Sequence, residues 1–464
     1  MTMSVVLPFA VAAIALFVVA AVRWPDLAVA AMAITVFTNA SDVLGRNAGT
    51  PGLGDPLLSL LIAGFIYRHW RARITRSTLL APPPAFAMVA FGWVTLSLGS
   101  ALWAADPVRS VARAQSLVRD ATIAVAIMFV VRTCQSLRRA IWAVVVAGGL
   151  IAGLSVFQYA THRFGTNFGG FGRATVENIA GTTDGYRLSG PYDDPNFYGL
   201  ILLLVVPLAA DRFLHERDAL LRLAALVSGG LVALAIVFTF SRGAFVGLVI
   251  AVLGILVRER PRPAVLAAIA LGGLLVASQL PSNYTNRLSA LSDALPGSDV
   301  GRAGADVSIR GRTSEVRVAI EMFADHPILG VGAANYPFRY QAYARAIGLD
   351  GRREEREPHS LYGEAAAELG LVGLAALGAM LVLTRRRLRI AARGLAAEPM
   401  YASIPGAIGT AFAGYLSASI FLHAQYARPA WVLLGLAWAA SYLKAAAPAV
   451  DTARLPSFRD RIAT

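Results

Sequence analysis

His359 stands just ahead of a long apolar run, Leu361–Thr384, which places an imidazole at a membrane surface where an amphiphilic substrate would present its headgroup. Imidazole is the side chain best suited to take a proton near neutral pH. Glu364 and Glu368 follow one helical turn apart and could orient that ring or pair with an arginine. Three arginines form a candidate set for holding phosphate, because a guanidinium stays charged and grips phosphate in a bidentate fork. Arg242 lies in Phe240-Ser241-Arg242-Gly243, with apolar segments on both sides and no acidic neighbour. Arg187 precedes a turn-rich stretch, Leu188-Ser189-Gly190-Pro191-Tyr192-Asp193-Asp194-Pro195-Asn196, that enters another apolar run. Arg312, after Gly311, opens an amphipathic helix predicted over 309–324, where unpaired N–H groups and the helix dipole also favour an anion. Plainer readings stand beside each: a backbone-bonded interfacial histidine for His359, snorkelling for Arg242, and a solvated basic face for Arg310, Arg312 and Arg317.

The elements that must position these residues are membrane helices. Of 464 residues, 56% are hydrophobic and 15% charged, and the mean hydropathy is +0.59, far from a soluble globular domain. The apolar residues fall in blocks of roughly 15 to 25, the length that crosses ~30 Å of hydrocarbon. Expected spans lie near 5–22, 27–39, 55–67, 80–104, 111–131, 140–160, 195–210, 219–240, 243–257, 264–280, 361–384, 402–422 and 430–446. The first lacks a basic leader and a small-residue cleavage site, so a retained segment is expected. If 5–22 and 27–39 form one broken pair, the fold is an all-α polytopic membrane protein of about twelve spans. It divides into N-terminal helices over 1–281, a large extracytoplasmic loop over 282–360 containing amphipathic helices, and C-terminal helices with a tail over 361–464. That loop gathers ten arginines, ten acidic residues and two of the six histidines, so chemistry is expected there.

Basic clusters recur on every second connection: Arg68 to Arg76, Arg132 to Arg139, Arg212 and Arg217, Arg258 to Arg262, and Arg385 to Arg389. The alternation assigns them and the C-terminus to the cytoplasm, and sends 161–194, Ser241-Arg242-Gly243, 282–360 and His423–Arg428 to the other face. The net charge of +14 is accounted for by these short loops, and no basic recognition helix marks the chain as nucleic-acid binding. The one cysteine, Cys134, excludes an intramolecular disulfide and a thiolate cluster. No Asp-x-Asp or His-rich arrangement in an outward segment suggests a metal, and no cofactor is expected. His326-Pro327-Ile328-Leu329-Gly330-Val331-Gly332 is a helix stop and a glycine turn, weak by itself as a phosphate loop.

Arg187 to Asn196, Ser241-Arg242-Gly243-Ala244, Arg312 through Asp325-His326 to Gly332 with Asn335, and His359 followed by Glu368-Leu369-Gly370 together resemble the O-antigen ligase and O-antigen polymerase superfamily over roughly 185–372. The resemblance implies a metal-independent, multi-pass glycosyltransferase of the bacterial inner membrane, working at the periplasmic face on a glycan carried by undecaprenyl pyrophosphate. It implies His359 as general base, Arg242 and Arg312 as contacts to the donor pyrophosphate with Arg187 added to them, and Asn196 and Glu368 in support. A common variant of the family has Asn after the histidine, where this chain has Ser360. One base and a few arginines suffice for a single inverting displacement that expels a lipid pyrophosphate. Within the superfamily the ligase, with lipid A-core as acceptor, is the first expectation. The polymerase, joining lipid-linked repeats, is the alternative. A protein oligosaccharyltransferase is disfavoured by the lack of a further soluble domain, and a lipid-linked glycan transporter by charges concentrated on one face.

Overall fold

A computed structural model describes residues 23–48, 56–64, 66, 84–179, 182–261, 263, 307–349, 355–422 and 427–443. The expected spans 5–22 and 264–280 lie outside the described residues. The first half is built from α1 (Pro25–Phe37), α2 (Ala40–Ala48), α3 (Pro84–Gly99), α4 (Pro107–Val130) and α5 (Cys134–Ala160), with a further helical piece over 56–64. Their starts follow local chemistry. Asp106 caps α4 by accepting from the amides of Val108 and Arg109, with Pro107 in the first turn where no N–H is needed. Thr133 caps α5 in the same way through Ser136.

After α5 the chain departs from the all-α expectation. Arg173–Ile179 (β1) and Thr182–Gly190 (β2) form an antiparallel hairpin within the hydrophilic piece 161–194. Two register irregularities, at Arg173/Ala174 and Glu177/Ile179, leave β2 longer than its partner. The reason is local: Thr175, Val176 and Ile179 are β-branched, and the segment is too short and polar to cross a membrane.

The expected span 195–210 is two helices, α6 (Pro195–Leu203) and α7 (Val206–His215), which together are long and apolar enough to cross a membrane. Next come α8 (Ala219–Phe238), α9 (Arg242–Glu259), α10 (Val307–Asp325), α11 (Tyr336–Ala346), α12 (Leu361–Gly394), α13 (Ile404–Ala418) and α14 (Arg428–Ala440). Among the described residues α5, α6 with α7, α8 and α12 meet the length and hydropathy of a membrane span. The α1–α2 pair, bent by 63°, is a fifth if taken as one broken span. The bend falls at Asn39, whose φ of +51° is a left-handed conformation that asparagine tolerates. The expected span 111–131 fits less well, because α4 carries Arg109, Arg113, Arg119 and Asp120 along its first 14 residues, with Arg109 paired to Asp106 and Glu355 and Asp120 to Arg428.

Arginines of the described alternate connections make ion pairs and hydrogen bonds at one end of the bundle, and the cluster Arg68 to Arg76 lies outside the described residues. Arg138 reaches Glu216 at 2.8 Å, Arg139 reaches Asp26 at 3.3 Å, and buried Arg212 donates to the Met400 carbonyl at 2.9 Å. The hairpin, α10 and α11 lie at the other end, since α5 and α9 connect the two. Leu150, Leu220, Leu223 and Val257 are exposed on helices between the ends, as side chains facing lipid would be.

The described part of the large loop is a helical cap with its own small core, in which Val318, Met322, Val331, Tyr336, Tyr340 and Ala367 are buried. A break in α12 holds it. Gly370 adopts φ +63° and ψ −156°, which frees the carbonyls of Ala367 and Glu368 and the amides of Leu371 and Val372 from the helix ladder. The Pro327–Gly332 segment takes all four: Val331 and Gly332 donate to Ala367 and Glu368 at 2.9 Å each, while Pro327 and Ile328 accept from Leu371 and Val372 at 2.8 and 3.2 Å. A side chain at Gly370 would strike the Ile328 carbonyl. Gly370→Ala is therefore expected to lower the melting temperature of the purified protein by several degrees, from strain of about 1–3 kcal/mol, whereas Gly378→Ala, which has open space around it, leaves it unchanged. Equal melting temperatures for the two variants would contradict this role of the break.

Candidate functional site

At the hairpin end, β2 delivers Arg187 into the bundle, where it is 9% exposed. Its Nε donates to the Thr239 carbonyl at 2.7 Å and Nη2 donates to Asn196 Oδ1 at 2.8 Å. Asn196 is held in turn by Asp194, the cap of α6, whose carboxylate accepts the Asn196 amide at 2.7 Å. Thr239 ends α8, and the chain reverses through Phe240, at φ +50°, and Ser241, which caps α9. Arg242 is the first residue of α9, so its guanidinium adds to the positive end of the helix dipole. Arg187 thus fastens the end of α8 to α6 three residues ahead of Arg242.

Gly243 packs against the end of α13, where an added Cβ would lie 3.3 Å from Phe421 and 3.4 Å from the Ala418 carbonyl. One residue on, the Ser419 carbonyl accepts the Leu361 amide at 2.9 Å. Leu361 begins α12, Ser360 caps it, and His359 precedes the cap. The end of α13 therefore contacts both Gly243, next to Arg242, and Leu361, two residues after His359.

His359 is oriented by a residue that reading missed. Its Nδ1 lies 2.9 Å from Glu315 Oε2 and 3.1 Å from the Glu357 carbonyl, so this nitrogen carries the proton and Nε2 is the basic one. Glu315 is 1% exposed, and its other oxygen accepts from Arg356 Nη1 at 3.0 Å. Burial pushes the Glu315 carboxyl up, but the adjoining His359 and Arg356 outweigh it, leaving the group below the ordinary carboxylate range. Nothing in Arg312-Thr313-Ser314-Glu315-Val316 announces a partner so far along the chain.

Glu364 and Glu368, the carboxylates first considered for that part, are both buried. Glu368 Oε1 accepts from the Tyr336 amide at 3.4 Å and so supports the start of α11. The 326–332 glycine motif is likewise committed to the α12 break, and Asn335, fully buried, bonds the Asp106 amide at 2.8 Å and ties the cap to α4. Arg312 lies on α10 one turn ahead of Glu315; its side chain is outside the described residues. An apolar stripe of α10 is open to the outside: Val316 and Ile320 are 49% and 58% exposed, whereas Val318, Ala319 and Met322 are buried. With Phe323, Pro358, Gly363 and Ala366 the stripe walls a cavity of about 210 Å³ beside His359 and Glu315.

At the opposite end Asp211, His215 and Glu259 bring ligand atoms within 4.8 Å of one another. Arg258 bonds Glu259 at 2.7 Å and lies 3.7 Å from Asp211, while Arg212 bonds Asp211 at 2.6 Å, so guanidiniums already balance these carboxylates.

The depressed Glu315 carboxyl has a signed consequence. A carboxyl lowered by folding contributes stability that is present above its unfolded value and lost as pH falls through the folded one. Amides of α10 are expected to stay protected from hydrogen exchange through the ordinary carboxylate range and to open only below it. In Glu315→Gln that acid step is absent. An acid step of equal size in the variant would show that other groups hold α10.

Residues 227–378 match the family described as O-antigen ligase. The match contains Arg242, Glu315, His359 and Glu368, and ends short of Arg187 and Asn196 on its N-terminal side. No curated protein matches the chain.

Proposed function

We propose, for a chain whose residues 227–378 form an O-antigen ligase family domain, that it transfers a glycan from undecaprenyl pyrophosphate to a sugar hydroxyl of lipid A-core at the periplasmic face of the bacterial inner membrane. The family supports a membrane glycosyltransferase of the ligase and polymerase type. The observation that carries the reading is the His359–Glu315 contact of 2.9 Å at the end of the bundle that also holds Arg242. Nε2 of His359 takes the proton of the acceptor hydroxyl, whose oxygen attacks the anomeric carbon. The bond from that carbon to the pyrophosphate oxygen breaks, and the lipid pyrophosphate leaves with the electron pair. Arg242, at a helix N-terminus, stabilises the growing negative charge, and Arg312 is the second contact. Arg187, with two of its nitrogens on protein acceptors, positions the Arg242 turn more than it grips phosphate. Glu315 holds the ring's tautomer and stabilises the imidazolium as it forms, the part a buried carboxylate plays beside a catalytic histidine. A single displacement inverts the anomeric centre.

The polymerase is the second reading, because the same donor site would serve a lipid-linked repeat as acceptor. Purified protein supplied with undecaprenyl-pyrophosphate glycan, with and without lipid A-core and with EDTA present, separates the two. Glycosylated lipid A-core formed in EDTA is the expected product. Longer lipid-linked glycan made without lipid A-core would establish the polymerase, and a retained anomeric configuration would refute the single displacement.

A further inference from the structure

A second, larger cavity of about 710 Å³ opens at the same end of the bundle, between α1, α2, α4, the 192–193 turn and the start of α14. Its lining is mixed: Met32, Ile123 and Phe197 are apolar, and Arg46, Arg119 and Arg428 carry positive charge. Its frame is built. Tyr192 donates to the carbonyls of Val36 and Phe37 at 3.2 and 3.0 Å, Asn39 donates to the Pro191 carbonyl at 3.1 Å, and Arg46 and Arg173 both pair with Asp193. Arg428 bonds Asp120, which is 2% exposed, at 2.8 Å, and the charges of Arg119 and Arg113 also act on that carboxylate. Among the described residues lining the cavity or bonded to its lining, four guanidiniums (Arg46, Arg119, Arg173, Arg428) stand with three carboxylates (Asp42, Asp120, Asp193). Arg428 also opens α14, so its charge adds to a positive helix end.

Guanidiniums and hydrocarbon in one lining suit the phosphate of an amphiphile at the level where chain and headgroup join. The cavity adjoins the Arg187 turn through α6: Asn196 bonds Arg187, and the next residue, Phe197, lines the cavity. Ser419, which holds the start of α12 beside His359, and Arg428 are nine residues apart, a reach of at most about 30 Å.

We propose that this cavity seats the lipid-borne phosphate of the second substrate, the acceptor, so that α6 adjoins two anion sites, one for each amphiphile. The assignment rests on the transferase reading and adds to it the chemical class that the acceptor must carry. An ordinary anionic phospholipid offers the same chemistry, and the test separates the two sources.

Arg119→Gln, and the charge-balanced pair Asp120→Asn with Arg428→Gln, are compared with wild type in two ways. In the transfer assay, acceptor and donor are each titrated at saturating levels of the other. In a binding assay without turnover, nanodisc-embedded protein is challenged with phosphorylated lipid A-core, its dephosphorylated form and phosphatidylglycerol. The expected result is an acceptor KM raised about tenfold or more, from loss of a charge-assisted contact, with donor KM and kcat within twofold. Binding of phosphorylated lipid A-core is expected to fall to the level of the dephosphorylated form. An unchanged acceptor KM, a raised donor KM, or a loss confined to phosphatidylglycerol would overturn the assignment. If wild type transfers no glycan yet binds phosphorylated lipid A-core in an Arg119-dependent way, the transferase reading fails and the cavity assignment survives.

Discussion

His359→Ala is expected to lower the rate of glycan transfer by about 10²–10⁴-fold, the range for loss of a positioned general base, while binding of the lipid-linked donor stays within a few-fold. The ring reaches its place through Ser360 and the Leu361–Ser419 bond, neither of which needs the imidazole, so the variant should fold. Glu315 is the group it strands, buried but still bonded to Arg356 at 3.0 Å. Single-turnover rates with saturating donor and acceptor measure the effect. A loss below tenfold would remove His359 from the proton transfer.

Arg242→Ala is the second large effect, an expected fall of about 10²–10³-fold in kcat, because the group acts on charge that develops as the pyrophosphate leaves. Arg242→Lys keeps the charge and loses the planar fork, so it should recover only part of the rate. Ser241 still caps α9 in both variants, which keeps the helix start intact. If Arg242→Ala raised only the donor KM and left kcat alone, the residue would contribute uniform binding and not stabilise the leaving group.

Hydropathy made most of the helices legible, because lipid exposure imposes a long apolar run that few other structures need. It missed the hairpin, which is too short and polar to read as a span, and it merged α6 with α7, whose break at Leu204 and Val205 lies within one apolar run. His359, Arg187 and Arg242 were visible because ionisable groups at the ends of apolar segments are costly and few. Glu315 was not. It sits in a charged loop where any carboxylate could be solvated, and only the fold of α10 onto α12 buries it against His359. Glu368, whose place near the mouth of a span suggested the imidazole or an arginine, also accepts from the Tyr336 amide at the start of α11, a contact that no spacing announces. The cavity of Arg46, Arg119 and Arg428 draws on segments from four distant stretches of chain, so no spacing could announce it.

The most direct measurement of the central claim is release of undecaprenyl pyrophosphate alongside glycan transfer, followed by mass spectrometry for wild type, His359→Ala and Glu315→Gln in one reconstituted membrane. Stoichiometric release with transfer in wild type, nearly abolished in His359→Ala and slowed in Glu315→Gln, is the predicted result. Equal release and transfer by all three proteins would contradict a site built on His359 and Glu315.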